Sequence, residues 1–247
     1  MTGHPGHETK NPRGAERRHE TVGRRALRLA HRGDWRAGPE NSLLAMRAAL
    51  AVPACDGLEF DVRSSRDGTP IVLHDATLQR VQGRPERPED LSVAELAILG
   101  VPTLADVMEL AGPGPFLDIE LKGAPVPAAV EVIEGARGPS FDRTVVSSFE
   151  RETLAWLGRR RPGWRRWLNA LDMTPETIRA AVKLGCRGVS VGWPAINEDT
   201  MAAATAAGLE VASWTVRRRP TADRLEGLGV VAICVEAAAL DGWPASG

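Results

Sequence analysis

Two histidines and a group of acids stand where a purely structural chain would carry apolar or turn residues. The stretch LAHRGDWRAGPENS (29–42) runs from apolar residues straight into His31, Arg32 and Gly33, then through a loop to Pro39, Glu40, Asn41 and Ser42. His74 ends the run TPIVLH and is followed by Asp75. In LEFDV, Glu59 and Asp61 lie two apart, and in FLDIELK so do Asp118, Glu120 and Lys122. Strand residues two apart share a face, so each run sets its acids against an apolar opposite side. A histidine pair can divide general-base and general-acid work near neutral pH. An arginine fork such as Arg32 matches phosphate oxygens, and clustered carboxylates offer hard oxygen ligands to Mg²⁺ or Ca²⁺. An acid facing a protein interior is costly unless it is paired or bound to a metal. Lys122 allows the alternative of an internal salt-bridge ladder. One lysine against Glu59, Asp61 and Glu120 leaves excess negative charge, which favours a divalent cation.

These groups need elements to position them. From residue 26 onward, β-type runs alternate with helical patterns. The runs are ALRLAH (26–31), GLEFDV (57–62), PFLDIELK (115–122), TVVSSF (144–149), RRWLNAL (165–171), GVSV (188–191), EVASWTV (210–216) and VVAICVE (230–236). Between them fall NSLLAMRAALA, PTLADVMELA, ERETLAWLGRRR, TPETIRAAVKLG and NEDTMAAATAAG. Eight such units predict an α/β protein, a (β/α)8 TIM barrel, with the polar groups at the C-terminal strand ends. An open doubly wound sheet is the alternative, but no Gly-x-Gly-x-x-Gly follows the first strand. Asp67-Gly68 reads as a two-residue hairpin turn. It predicts a short β-hairpin insertion after strand 2 whose return arm carries His74 back to the rim. Residues 76–103 then read as a compact charged connection.

Composition narrows the classes. The chain has 247 residues and a formal net charge of −1, so nothing global points to a nucleic-acid partner. No run of about 18 apolar residues appears, so no membrane insertion is expected. Cys55, Cys186 and Cys234 are widely spaced in apolar settings and read as buried free thiols, which suits a reducing compartment. The opening 24 residues hold three of the five histidines (His4, His7, His19) and have no apolar h-region. They read as a disordered tail before a single barrel domain over 25–247, with the cytoplasm as the expected location. The sequence carries no signal for an oligomeric state.

The ordered set HRG…PENS, EFDV, DGTPIVLHDATLQR, PTLADV, IELK, SSF and SWTV resembles the glycerophosphodiester phosphodiesterase family over roughly residues 27–216. The resemblance implies a metal-dependent barrel that hydrolyses glycerophosphodiesters, small-molecule substrates, to glycerol 3-phosphate and an alcohol. It implies His31 and His74 as catalytic residues, and Glu59, Asp61 and Glu120 as ligands of a divalent metal, Mg²⁺ or Ca²⁺. Arg32 and Lys122 would stand near the phosphate, and Trp214 would line the glycerol pocket. Three features depart from the family pattern. The connection after His74 is short, Arg217 replaces the asparagine of W-T-V-N, and the closing D-G-I-I-T-D is here VAICVEA. Glu236 is the only acid in that closing segment, and this strand end is expected to contribute little. Gly33 is expected to let the backbone approach the ligand. The alternatives are a related sphingomyelinase D or lysophospholipase D kind of enzyme acting on lipids, and a non-catalytic phosphate-binding barrel.

Overall fold

A computed structural model describes residues 25–138 and 142–242. The expected N-terminal tail lies outside the described residues. Eight parallel strands close on themselves: β1 (Leu27–His31), β2 (Gly57–Ser64), β4 (Phe116–Leu121), β5 (Thr144–Ser148), β6 (Arg166–Ala170), β7 (Gly188–Gly192), β8 (Glu210–Val216) and β9 (Ala232–Val235). β1 completes the ring by pairing with both β2 and β9. Around them lie α1 (Leu43–Leu50), α4 (Leu104–Ala111), α5 (Pro127–Arg137), α6 (Arg151–Arg160), α7 (Pro175–Lys183), α8 (Glu198–Ala206) and α9 (Arg219–Gly227). This is the TIM barrel that the alternation of strands and helices predicts.

Strand parity sorts the side chains. The outward residues Leu58, Phe60 and Val62 of β2 and Leu117, Ile119 and Leu121 of β4 join the core beneath the helices. Burying each side chain of this size contributes about 1.5–3 kcal/mol. Inward residues toward the N-terminal end form a second apolar cluster that includes Leu29, Phe116, Val145, Trp167 and Cys234. Phe116 and Trp167 stack there with ring centroids 6.2 Å apart. One step further along the same strands the interior turns polar, with Glu59, Asp61, Asp118, Glu120, Ser147, Asn169 and Ser190 all buried. The barrel floor is thus sealed by apolar packing, and its upper half is reserved for charge.

The segment after β2 turns back. β3 (Pro70–Val72) pairs antiparallel with β2, matching Val62 with Val72 and Ser64 with Pro70. The turn differs from the two-residue expectation. Ser65 N donates to Thr69 O at 3.0 Å, so three residues span it, with Gly68 left-handed at φ 78°. Three-residue hairpin loops of this kind place glycine at their left-handed position. Leu73 N then donates to Asp61 O at 3.0 Å, which sets His74 beside the acid-bearing end of β2. The following connection has a core of its own, including Ile71, Leu73, Leu78, Leu96 and Val101, with the short helices α2 (Gln79–Gln82) and α3 (Val93–Ile98).

Candidate active site

The β2 and β4 registers bring the acids together. Glu59 pairs with Asp118 and Asp61 with Glu120 across adjacent strands. One carboxylate oxygen each from Glu59, Asp61 and Glu120 falls within 4.8 Å of the others, and all three residues are buried. Glu59 Oε2 accepts no hydrogen bond, and Asp61 Oδ1 and Glu120 Oε1 meet only the Lys122 ammonium. Lys122 Nζ lies in ion-pair range of two of them, 3.1 Å from Asp61 Oδ1 and 2.6 Å from Glu120 Oε1. The salt-bridge ladder therefore exists, but it leaves the cluster short of positive charge.

The electrostatics follow. Burial, with Asp61, Asp118 and Glu120 nearby, holds the Glu59 carboxyl well above the usual carboxylate range. Burial and Asp61 push Glu120 up to about 7, against the pull of Lys122. Asp118 is also raised to about 7 by burial, although Ser147 Oγ donates to it at 2.6 Å. Asp61 goes the other way: burial raises it, but Lys122 and Arg32 outweigh burial and hold it low. Buried, convergent carboxylate oxygens that share a single lysine, some of them resisting ionisation, are the donor set that a hard divalent cation satisfies.

The histidines flank this cluster, each with Nδ1 against a carboxylate. His31 Nδ1 lies 2.5 Å from Glu236 Oε1, and its Nε2 is 3.7 Å from Glu59 Oε2. His74 Nδ1 lies 2.6 Å from Asp75 Oδ1. Behind each carboxylate stands an arginine, Arg217 on Glu236 and Arg80 on Asp75. Burial lowers the His74 pKa despite Asp61 and Asp75, and the Arg80 hydrogen bond takes Asp75 down to about 2. Arg32, left-handed at φ 63°, directs Nε to within 3.2 Å of Asp61 Oδ2. Its Nη1 donates to Glu40, which also accepts two bonds from Arg80. Trp214 Nε1 donates to Ser190 O, and its indole meets Phe149 edge-on at 5.9 Å, walling the pocket.

Every residue that the sequence offers for catalysis, metal or substrate thus lies in or beside one cavity, and several that carry the arrangement were not singled out. Asn41, buried at φ 58°, donates to Asp61 Oδ2 at 3.0 Å and orients that carboxylate. Its place in PENS was the available signal. One expectation needs correction. Glu236 does take part, as the partner of His31, because β9 is the strand neighbouring β1 in the closed barrel. Gly33 has a scaffold role: at φ 85°, a Cβ there would sit 2.7 Å from the Ala45 backbone of α1. Cys55, Cys186 and Cys234 are free thiols, with Cys55 only half-buried.

The fold and this mouth define a (β/α)8 barrel with an acid-rich, histidine-flanked centre at the C-terminal ends of its strands. The chain belongs to the glycerophosphoryl diester phosphodiesterase family, whose model matches residues 31–240. It is 27% identical over 230 residues to a glycerophosphodiester phosphodiesterase of Caldanaerobacter subterraneus subsp. tengcongensis, covering 86% of this chain and 94% of that protein. Among solved structures it is similar in fold to an Oleispira antarctica phosphodiesterase in complex with the product sn-glycerol-3-phosphate. The TM-score is 0.76 at 24% identity, over 85% of this chain and 92% of that one. A glycerophosphodiester phosphodiesterase of Thermotoga maritima gives a TM-score of 0.72 at 24% identity, over 86% and 95% respectively.

Proposed function

We propose that this chain hydrolyses glycerophosphodiesters to glycerol 3-phosphate and an alcohol, using His31 and His74 as proton carriers beside a divalent cation held by Glu59, Asp61 and Glu120. The observation that carries this reading is the cluster of three buried carboxylates, one oxygen of each within 4.8 Å of the others, flanked by two histidines. A bound Mg²⁺ or Ca²⁺ would neutralise phosphate charge and polarise an oxygen of the reacting group. Arg32 and Lys122 bring further positive charge for the phosphate. With Nδ1 of each ring facing a carboxylate, Nε2 is the nitrogen left to take or give a proton.

The inner cavity of about 60 Å³, walled by Trp214 and Phe149, suits the small glycerol end of a substrate. An open cleft of about 630 Å³ adjoins it at His31 and Arg32 and leaves room for the alcohol being released. Family membership favours this activity over the lipid-directed and non-catalytic alternatives. Among the described residues no helix is long and apolar enough to cross a membrane. A barrel domain over 25–247 and a cytoplasmic location are part of this proposal.

The test is a screen of purified protein with Mg²⁺, Ca²⁺ or EDTA against glycerophosphocholine, -ethanolamine, -glycerol, -inositol and a lysophospholipid. Release of glycerol 3-phosphate that chelation abolishes is expected. Full activity in thoroughly chelated protein, or hydrolysis of the lysophospholipid alone, overturns the reading.

A further inference from the structure

We propose that Glu236 and Arg217 are positioning residues that fix the tautomer and tilt of His31, so that its Nε2 faces the carboxylate cluster. The inference rests on the reading of His31 as a proton carrier and names what aims it. Along β9 the inward positions are Ala232 and Cys234, and Glu236 continues that parity just past the strand end. The β1–β9 register matches Ala30 with Val235, so the next residues on the two strands, His31 and Glu236, stand side by side.

The carboxylate is used on both edges. Oε1 takes His31 Nδ1 at 2.5 Å, while Oε2 accepts from Arg217 Nε at 2.8 Å and pairs with Arg217 Nη2 at 2.7 Å. The Glu236 side chain is only 12% exposed and that of Arg217 63%, so the guanidinium braces the acid from the solvent side. An ionised carboxylate only accepts hydrogen bonds, so Nδ1 must carry the proton, and the nitrogen that can exchange one is Nε2. That atom is the one facing Glu59, 3.7 Å away. The same order of arginine, carboxylate and histidine Nδ1 recurs at His74 through Asp75 and Arg80, built from a different part of the chain. Two independent constructions of one relay point to ring orientation as their common purpose. Arg217 stands where the family pattern has asparagine, so the brace belongs to this chain.

Two readouts test the inference. In ¹⁵N-histidine-labelled protein with Mg²⁺, at a pH where imidazole is neutral, the His31 resonances are assigned by their loss in His31→Asn. The wild type should show a protonated Nδ1 and a bare Nε2, and Glu236→Gln should mix the two tautomers. Glu236→Gln should also lower kcat by about 10–100-fold, with a smaller change in KM through the cleft that Glu236 and Arg217 line. Arg217→Asn, a milder change at an exposed site, should give a smaller loss of the same kind. A wild-type His31 with its proton on Nε2 overturns the inference, as does wild-type kcat in Glu236→Gln. Should Glu236→Gln fail to fold, the wild-type spectrum and Arg217→Asn still decide. Should no diester be hydrolysed at all, the kinetic readout falls with the proposed function, and the nitrogen spectrum alone judges the Glu236 contact.

Discussion

A ring nitrogen is a useful proton carrier when its partner nitrogen is already committed, and both histidines here meet that condition. Either His31→Ala or His74→Ala should lower kcat/KM at least about 10²-fold, the lower end for a general acid or base. The double variant should lose less than the product of the two, because both act on one transition state. Burial holds His74 below its ordinary value of 6.5, so the limb of the pH profile that it controls should fall on the acid side of that pH. Initial rates against pH for the three variants check this, and near wild-type turnover in His74→Ala would remove it from the pair. The histidines and acids were legible in the sequence because charged residues on apolar strands are costly and therefore conspicuous. Asn41, Arg80 and Glu236 were not. Each is an ordinary polar residue whose role appears only when the fold brings it to a partner, across 20 residues for Asn41 to Asp61 and 205 for Glu236 to His31.

At the scale of elements, the site depends on β2 and β4 lying close and in register, since Glu59 and Asp61 come from one and Glu120 from the other. Gly57 sets that approach: a Cβ there would fall 1.8 Å from Phe116 O, a backbone atom that cannot step aside. Gly57→Ala should therefore push the strands apart at their base. Overpacking of this kind costs about 1–3 kcal/mol, a fall in Tm of roughly 2–12 °C for a domain of this size. Weaker Mg²⁺ binding should accompany it, and calorimetry together with metal titration measures both. Unchanged Tm and metal affinity would show that the β2–β4 seam yields freely. Strand positions were readable because short β-rich runs alternate with capped helical patterns, as at Thr174-Pro175-Glu176, the cap and first residues of α7. The turn after β2 was misjudged by one residue. Asp-Gly also fits a three-residue loop, and only the pairing of Ser65 with Thr69 distinguishes the two.

For the whole molecule, the barrel is a near-neutral chain that gathers its surplus negative charge at one buried point. Without a cation, that point should make stability fall as pH rises. Glu120, ordinarily near 4.5, and Asp118, ordinarily near 3.8, are each raised to about 7 in the folded chain, and Glu59 is raised as well. A carboxyl with a folded pKa above its unfolded one binds protons more tightly in the native state. Its contribution is present at low pH and is lost as pH climbs through about 7. His74, lowered by burial, pulls the other way over part of this window, but it is one group against three. Asp75, whose pKa is lowered to about 2, contributes stabilisation that is already complete throughout this window and is lost only as pH falls below about 4, so it leaves the slope unchanged. In EDTA, Tm should therefore drop between about pH 5 and pH 8, and added Mg²⁺ should restore it most at the alkaline end. Glu120→Gln removes one of the crowded charges. It should raise the metal-free Tm at pH 8 by about 2–4 °C for each kcal/mol of repulsion relieved, do little at pH 5, and abolish the Mg²⁺ effect. The opposing term is the Lys122–Glu120 ion pair at 2.6 Å, which the substitution also removes. A Tm that stays flat or rises with pH in EDTA, or a Glu120→Gln protein less stable than wild type at pH 8, would mean that the ion pair outweighs the crowding and that Lys122 already balances the barrel mouth.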